Sequence, residues 1–358
     1  MKITAAHGSG GRDSAHLMEE IFGKRFANPI LDKMEDAAIL HMRGDIAMST
    51  DSFVVTPLEF KGGDIGKLSV CGTVNDLLVM GATPEYMTCG FILEEGLDIE
   101  LLDRIAASMA AMAAEARVTI AAGDTKVIGG AGGLYINTTG IGHVPESRRV
   151  SASSCRPGDV VILSGGLGEH HACILSARMG VSNTIESDCA YLGDVTEALF
   201  ASGAELRAMR DVTRGGLGTV LNEIAASSRC RIELEEDTIP VSSAVAGFCG
   251  LMGLDPLYMG NEGKLVAVVG PEGAEEALAA VRRTPHGRGA ALIGRVAAPA
   301  DGVSAPGGAA PGGSGTRPAG GGSTPNGSAG KAGVYMKTRL GGTRRIDVLY
   351  GEGLPRIC

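Results

Sequence analysis

Four short acidic stretches interrupt the apolar pattern of this chain: Glu35-Asp36-Ala37-Ala38, Thr50-Asp51-Ser52, Val74-Asn75-Asp76-Leu77 and Gly123-Asp124-Thr125-Lys126. Asp76 is the most informative, because it falls inside an otherwise apolar helix pattern, where an unpaired carboxylate is expensive to bury. Two readings stay open for it: a carboxylate satisfied by backbone or by Lys126, or one member of a convergent acidic group. Aspartates that converge repel one another unless a divalent cation joins them. Hard oxygen ligands suit Mg2+ bridging to phosphates.

Phosphates need donors, and His7-Gly8-Ser9-Gly10-Gly11 offers backbone amides that can approach an anion just ahead of a helix start. Glycine-rich loops are common, and neither the P-loop pattern nor a complete G-x-G-x-x-G is present, so any nucleotide site is of another kind. Lys126 and Lys264 can serve phosphates or simply face solvent. Asp211-Val212-Thr213-Arg214-Gly215-Gly216 can hold an anion at a helix end or merely cap it. The seven histidines lack metal-ligand spacing, and His170-His171 reads as a partly exposed helix start. Neither a zinc site nor a thioredoxin-type couple is suggested, since the eight cysteines contain no C-x-x-C pair. Most of them read as buried small hydrophobes. Cys358 differs, because it ends the mobile stretch Leu354-Pro355-Arg356-Ile357-Cys358, as a frayed end or as a travelling thiol.

The 358 residues suffice for two domains of roughly 100 to 200 residues each. Aromatic residues make up only 4% and Trp is absent, so the core must be aliphatic. A net charge of -9 with no dense Lys/Arg run argues against nucleic acid and against an anionic membrane surface. No stretch has the length of a membrane span, and Met1 to Gly11 lacks a signal-peptide core; the expectation is a cytoplasmic protein.

The elements that must position these groups follow from periodicity. A short helix is expected over 13–26, and a hairpin of two strands, 37–42 and 45–55, turning at 43–45. Asp64 opens a strong helix through Met80, a strand follows over 86–93, then a helix over 99–116 and strands in 118–126 and 133–142. From Cys155 the pattern restarts. Strands are expected over 160–163, 232–236, 264–269 and 291–296, with helices over 168–179, 194–202, 217–226, 241–252 and 272–282. The fold class is α+β, two mixed α/β domains with a flexible C-terminal tail. Residues 1–150 form the first domain and 151–350 the second. Within the second, 299–333 is almost wholly Gly, Pro, Ala, Ser and Thr and reads as a flexible insertion. Residues 351–358 form the mobile tail.

The ordered set HGSGGR, EDAAIL, TDSFVVTPL, GGDIGKLSVCGTVNDLLVMGA, GFILEEG, GDTKV, INTTGIG, TRGG, LDPLY, NEGKLVAVV and terminal LPRIC resembles the HypE family of hydrogenase maturation factors over nearly the whole chain. That family lies in the superfamily of aminoimidazole ribotide synthetase and selenophosphate synthetase. The resemblance implies an ATP- and Mg2+-dependent carbamoyl dehydratase, usually a homodimer, with residues 1–150 as its ATP-binding and dimerisation domain. In such enzymes the terminal cysteine receives a carbamoyl group from a HypF-type carbamoyltransferase and ATP drives its dehydration to a thiocyanate. Cyanide then passes to iron on a HypC-HypD complex for [NiFe]-hydrogenase. By matching motif, the resemblance implies Cys358, Lys126 and Glu262 as catalytic residues. It implies His7, Gly8, Gly10, Gly11, Asn75, Thr125, Asp211, Thr213 and Arg214 at the nucleotide, and Asp36, Asp51, Asp76 and Asp124 at the metal. The roughly 18 residues from Gly341 can span at most about 60 Å, enough for a substrate-bearing arm. Two rivals remain: a superfamily kinase or synthetase acting on a free metabolite, with an idle terminal cysteine, and a nucleotide-binding scaffold whose C-terminus is a docking peptide.

Overall fold

A computed structural model of the chain describes residues 1–9, 12–33, 37–42, 44–299 and 332–348. Asp36, Gly10, Gly11 and Cys358 therefore lie outside the described residues, as do the tail and most of 299–333, whose last residue already begins a strand.

The first half starts with α1 (Arg12–Leu17), a π-helical stretch Met18–Gly23 and α2 (Lys24–Phe26), one helical path where a single helix was expected. Next come β1 (Asp45–Phe53), the short pair β2 (Glu59–Phe60) and β3 (Gly63–Asp64), and α3 (Ile65–Val79). They are followed by β4 (Thr83–Glu94), α4 (Ile99–Glu115), β5 (Thr119–Ile128) and β6 (Leu134–Val144). These strands form a four-stranded sheet in the order β1-β6-β4-β5, parallel only between β4 and β5. The Asp64 carboxylate starts α3 by accepting from the backbone N–H groups of Gly66 (2.7 Å) and Lys67 (3.0 Å). Inward-facing Phe53, Phe91 and Ile136 bury one face of the sheet. The other face is open, and Ile46, Met48, Ile92 and Ile128 stand exposed on it, Met48 by 70%.

The second half contains β7 (Val160–Leu163), α5 (Glu169–Met179), α6 (Gly193–Ala201), β8 (Leu206–Asp211), α7 (Gly216–Ser228), β9 (Arg231–Glu235) and α8 (Ser243–Met252). It ends with β10 (Leu265–Val269), α9 (Ala274–Arg282), β11 (Ala291–Ala297), β12 (Gly333–Lys337) and β13 (Thr343–Ile346). A seven-stranded sheet runs β13-β12-β9-β11-β7-β10-β8, with β12 parallel to β9.

Three expectations are corrected. Residues 37–42 form no strand: β1 instead pairs with β6 along its whole length, from Asp45↔Val144 to Phe53↔Ile136, a ladder longer than the six-residue partner could provide. Strand β8 was not anticipated, because Arg207 and Arg210 break its apolar alternation and it pairs only at the sheet edge with β10. His170 and His171 are buried, not exposed; His170 Nδ1 meets Ser187 Oγ at 2.7 Å, and its ring packs edge-on to Phe60.

α3 is apolar on nearly every side because it lies between the first sheet and the second half of the chain. Asn75 ties it there. Its Nδ2 donates to the Ala190 carbonyl (2.9 Å), and the Leu192 N–H donates to its Oδ1 (3.0 Å). Asn75→Ala leaves both backbone groups unpaired in a buried site, and a loss of about 1–3 kcal/mol is expected. Thermal unfolding of the ligand-free protein checks this; an unchanged midpoint would show that the junction does not depend on Asn75.

Candidate active site

The inner face of β1 presents Ser49 and Asp51 to α3, which answers with Thr73 and Asp76. The Ser49 hydroxyl donates to Asp76 Oδ2 (2.5 Å), and the Thr73 hydroxyl donates to Asp51 Oδ2 (3.3 Å) while meeting Thr138 Oγ1 at 2.6 Å. From the second half, the end of β8 brings Arg210 and Asp211, and the turn before β10 brings Glu262. A cavity of about 230 Å3 opens here, lined by Ser49, Asp76, Arg210 and Asp211 among apolar neighbours. Glu262 reaches α3 as well, its Oε2 lying 4.0 Å from the point where a side chain on Gly72 would begin.

These acids perturb one another. Burial pushes Asp76 up to about 6, opposed by the Ser49 hydrogen bond and aided by the charge of Asp51. Burial also pushes Asp211 up to about 7, with Asp76 adding and Arg210 opposing. Glu262 is held well above the carboxylate range by burial, then by neighbours that include Asp211 and Asp188. A cluster of carboxyls with raised proton affinity is suited to take a cation or to accept a proton.

The other sequence candidates are not all gathered here. Asp124 and Lys126 pair with each other (2.8 Å) and are 68% and 67% exposed. They share the open face of the sheet with Ile92 and Ile128, and three strand spacings, about 14 Å, separate β5 from β1. Thr125 points inward with Phe91 and lines a separate cavity of about 240 Å3, with Phe22, Phe26 and Asp124. His7 is fixed by Thr4, whose N–H donates to its Nδ1 (3.1 Å). Gly8 touches β5 so closely that a Cβ would fall 2.7 Å from Val127 Cβ. Thr213 is half-buried and Arg214 exposed in the turn ahead of α7. Asn75 is a junction clamp, its amide turned to the second half and away from β5. Lys264 does not face solvent: it pairs with Asp188 (3.1 Å) and Glu169 (3.5 Å). Sequence reasoning missed Ser49, Arg210 and Asp188, the first two because nothing local marks a serine in a strand or an arginine in an unrecognised one.

Among the described residues no three His, Cys, Asp or Glu groups converge into a metal cage. The oxygen donors of Asp51 and Asp76 fit a different arrangement. Mg2+ is commonly held by one or two carboxylates, with phosphates and water completing its shell.

Residues 34–144 match the family described as AIR synthase related protein, N-terminal domain, and residues 156–304 match its C-terminal domain. The carbamoyl dehydratase HypE of Rhodobacter capsulatus is 44% identical, covering 100% of this chain and 98% of its own. The chain belongs to the HypE family of AIR synthase related hydrogenase maturation proteins. A crystal structure of HypE in complex with ATP superposes with a TM-score of 0.87 at 44% identity, covering 99% of both chains. A HypE-HypF complex gives 0.74 at 39% identity, covering 93% of this chain and 99% of that one.

A carboxyl that binds its proton more tightly when folded favours the folded state below its unfolded value, near 3.8 for aspartate. That advantage is lost as pH rises through the folded value, about 6 for Asp76 and about 7 for Asp211. Ligand-free protein should therefore lose stability between about pH 4 and pH 7 from this source. Asp211→Asn is expected to raise its melting temperature by about 2 °C more at pH 8 than at pH 5. A rise of equal size at both pH values would show that Asp211 is not the group responsible.

Proposed function

We propose that this protein dehydrates an S-carbamoyl group carried on its own Cys358 to a thiocyanate, at the expense of ATP, supplying cyanide for the iron of a [NiFe]-hydrogenase. The convergence of Asp51 and Asp76 from one half with Asp211 and Glu262 from the other carries this reading. A carboxamide oxygen is a poor leaving group. Transfer of the γ-phosphoryl of ATP to that oxygen turns it into phosphate, and removal of the two N–H protons then leaves the C≡N of the thiocyanate.

Glu262 is the base, since a carboxylate with raised proton affinity is the stronger acceptor. Asp51 and Asp76 would hold the Mg2+, which when bound would supply neutralisation of phosphate charge. Asp211, Thr213 and Arg214 stand at the same edge and orient the phosphates. The cavity floored by Phe22, Phe26 and Phe91 takes the purine beside Thr125, with Gly8 packed against β5.

The open face bearing Ile46, Met48, Ile92 and Ile128 serves as the homodimer surface. Lys126 projects from that face, so the charge-balancing lysine works at or across the interface. A HypF-type carbamoyltransferase loads Cys358, and a HypC-HypD complex receives the cyanide, in the cytoplasm. Among the described residues no helix is long and apolar enough to cross a membrane.

Lys126→Ala and Asp76→Asn are expected to leave carbamoylation of Cys358 intact and to block its conversion. Mass spectrometry of the C-terminal peptide should then show the carbamoyl adduct without the ATP-dependent loss of one water. Normal thiocyanate yield from either variant would displace that residue from the site. ATP turnover that is unaffected by deletion of Cys358 would instead point to a free small-molecule substrate.

A further inference from the structure

The turn Asn261-Glu262-Gly263-Lys264 has no regular secondary structure of its own, so something else must fix where Glu262 points. Asp188, in the segment between α5 and α6, grips it from below. Its side chain is only 3% exposed. Oδ1 accepts from the Glu262 N–H (3.2 Å), while Oδ2 accepts from the Gly263 N–H (3.2 Å) and from Lys264 Nζ (3.1 Å). Three consecutive residues of one turn thus converge on a single carboxylate. The Asp188 carbonyl presses on the same turn: a Cβ at position 263 would sit 1.8 Å from it, so only glycine fits.

The start of the turn is pinned separately. Asn261 Nδ2 donates to the carbonyls of Val212 (3.0 Å) and Met259 (3.1 Å), and its Oδ1 accepts from the Gly168 N–H (2.7 Å). Two residues beyond Asp188, the Ala190 N–H donates to the Glu262 carbonyl (3.3 Å), and the Ala190 carbonyl accepts from Asn75 on α3. One short segment therefore connects the turn that bears Glu262 to the helix that bears Asp76. Lys264 keeps Asp188 ionised: despite burial, Asp188 stays below and Lys264 above its ordinary value, because each stabilises the other's charge.

We propose that Asp188 is the positioning residue that holds Glu262 at the domain junction for the dehydration step, an inference that rests on the reading of Glu262 as the base. Both Asp188 oxygens are engaged with the turn, so it acts through Glu262 and does not touch the reacting atoms. Displacing a reactive group by about 1 Å costs on the order of 10²-fold in rate.

The test is single-turnover dehydration of chain loaded on Cys358 by its carbamoyltransferase, at saturating Mg·ATP. Asp188→Asn keeps the shape but sets an amide N–H against the donors of the turn. It is expected to slow dehydration about 10²-fold, while the Kd for ATP and the extent of carbamoylation hold. The double variant with Glu262→Gln should be no slower than Glu262→Gln alone. A wild-type rate for Asp188→Asn, or a double variant slower than Glu262→Gln by the full Asp188→Asn factor, overturns the proposal. A wild-type rate for Glu262→Gln sinks the base assignment itself, whatever Asp188 does. Should Asp188→Asn fail to melt cooperatively or to bind ATP, Lys264→Met replaces it in the same cycle, with the same rate loss and non-additivity expected.

Discussion

Carboxyl groups forced together out of water are the constraint around which this molecule is arranged. Asp76 and Asp211 reach the junction from different halves of the chain; burial raises both, the charge of Asp51 adds at Asp76, and the charges of Asp76 and Asp51 make Asp211 harder still to ionise. Such a cluster is a liability for a protein that only needs to fold, since it lowers stability wherever the acids are charged. It becomes useful when a cation and a phosphate group enter, because the same repulsion then favours binding.

The surroundings make sense as the means of maintaining that cluster. α3 is apolar on almost all sides so that it can be clasped by both halves, and its polar residues are reserved for contacts that set the geometry. Ser49 and Thr73 each donate a hydroxyl to one aspartate, Asn75 fastens the helix to the 190–192 segment, and that segment reaches the turn of Glu262. Preorganisation of this kind is what electrostatic catalysis requires, because groups already in place need no rearrangement as charge develops.

Much of this was legible in the sequence, and the exceptions have physical reasons. The long helices and central strands follow apolar periodicity, and Asp76 announced itself by interrupting one. Strand β8 escaped because its arginines serve partners outside the strand, Glu205 and Asp159 for Arg207 and Glu223 for Arg210. The hairpin expected over 37–55 failed because strand pairing is settled by long-range competition, and β6 was the better partner for β1. At the site, Asp51, Asp76, Asp211 and Glu262 were named from motifs, yet their convergence from two halves is a property of the fold. Asn75 was placed at the nucleotide by family resemblance and Lys264 was left between phosphate and solvent; in the fold Asn75 clamps the 190–192 backbone and Lys264 pairs with Asp188 and Glu169. Asp124 and Lys126 were grouped with the other acids by motif, and sheet order and side-chain alternation set them on the opposite face.

The central claim is that the junction acids carry protons which a bound cation and nucleotide displace. Calorimetric titration of the protein with Mg·ATP at pH 6, repeated in buffers of different ionisation enthalpy, measures that proton exchange directly. The account predicts a net release of protons by the wild type that is abolished in Asp76→Asn/Asp211→Asn. No release by the wild type, or an equal release by the double variant, would contradict it.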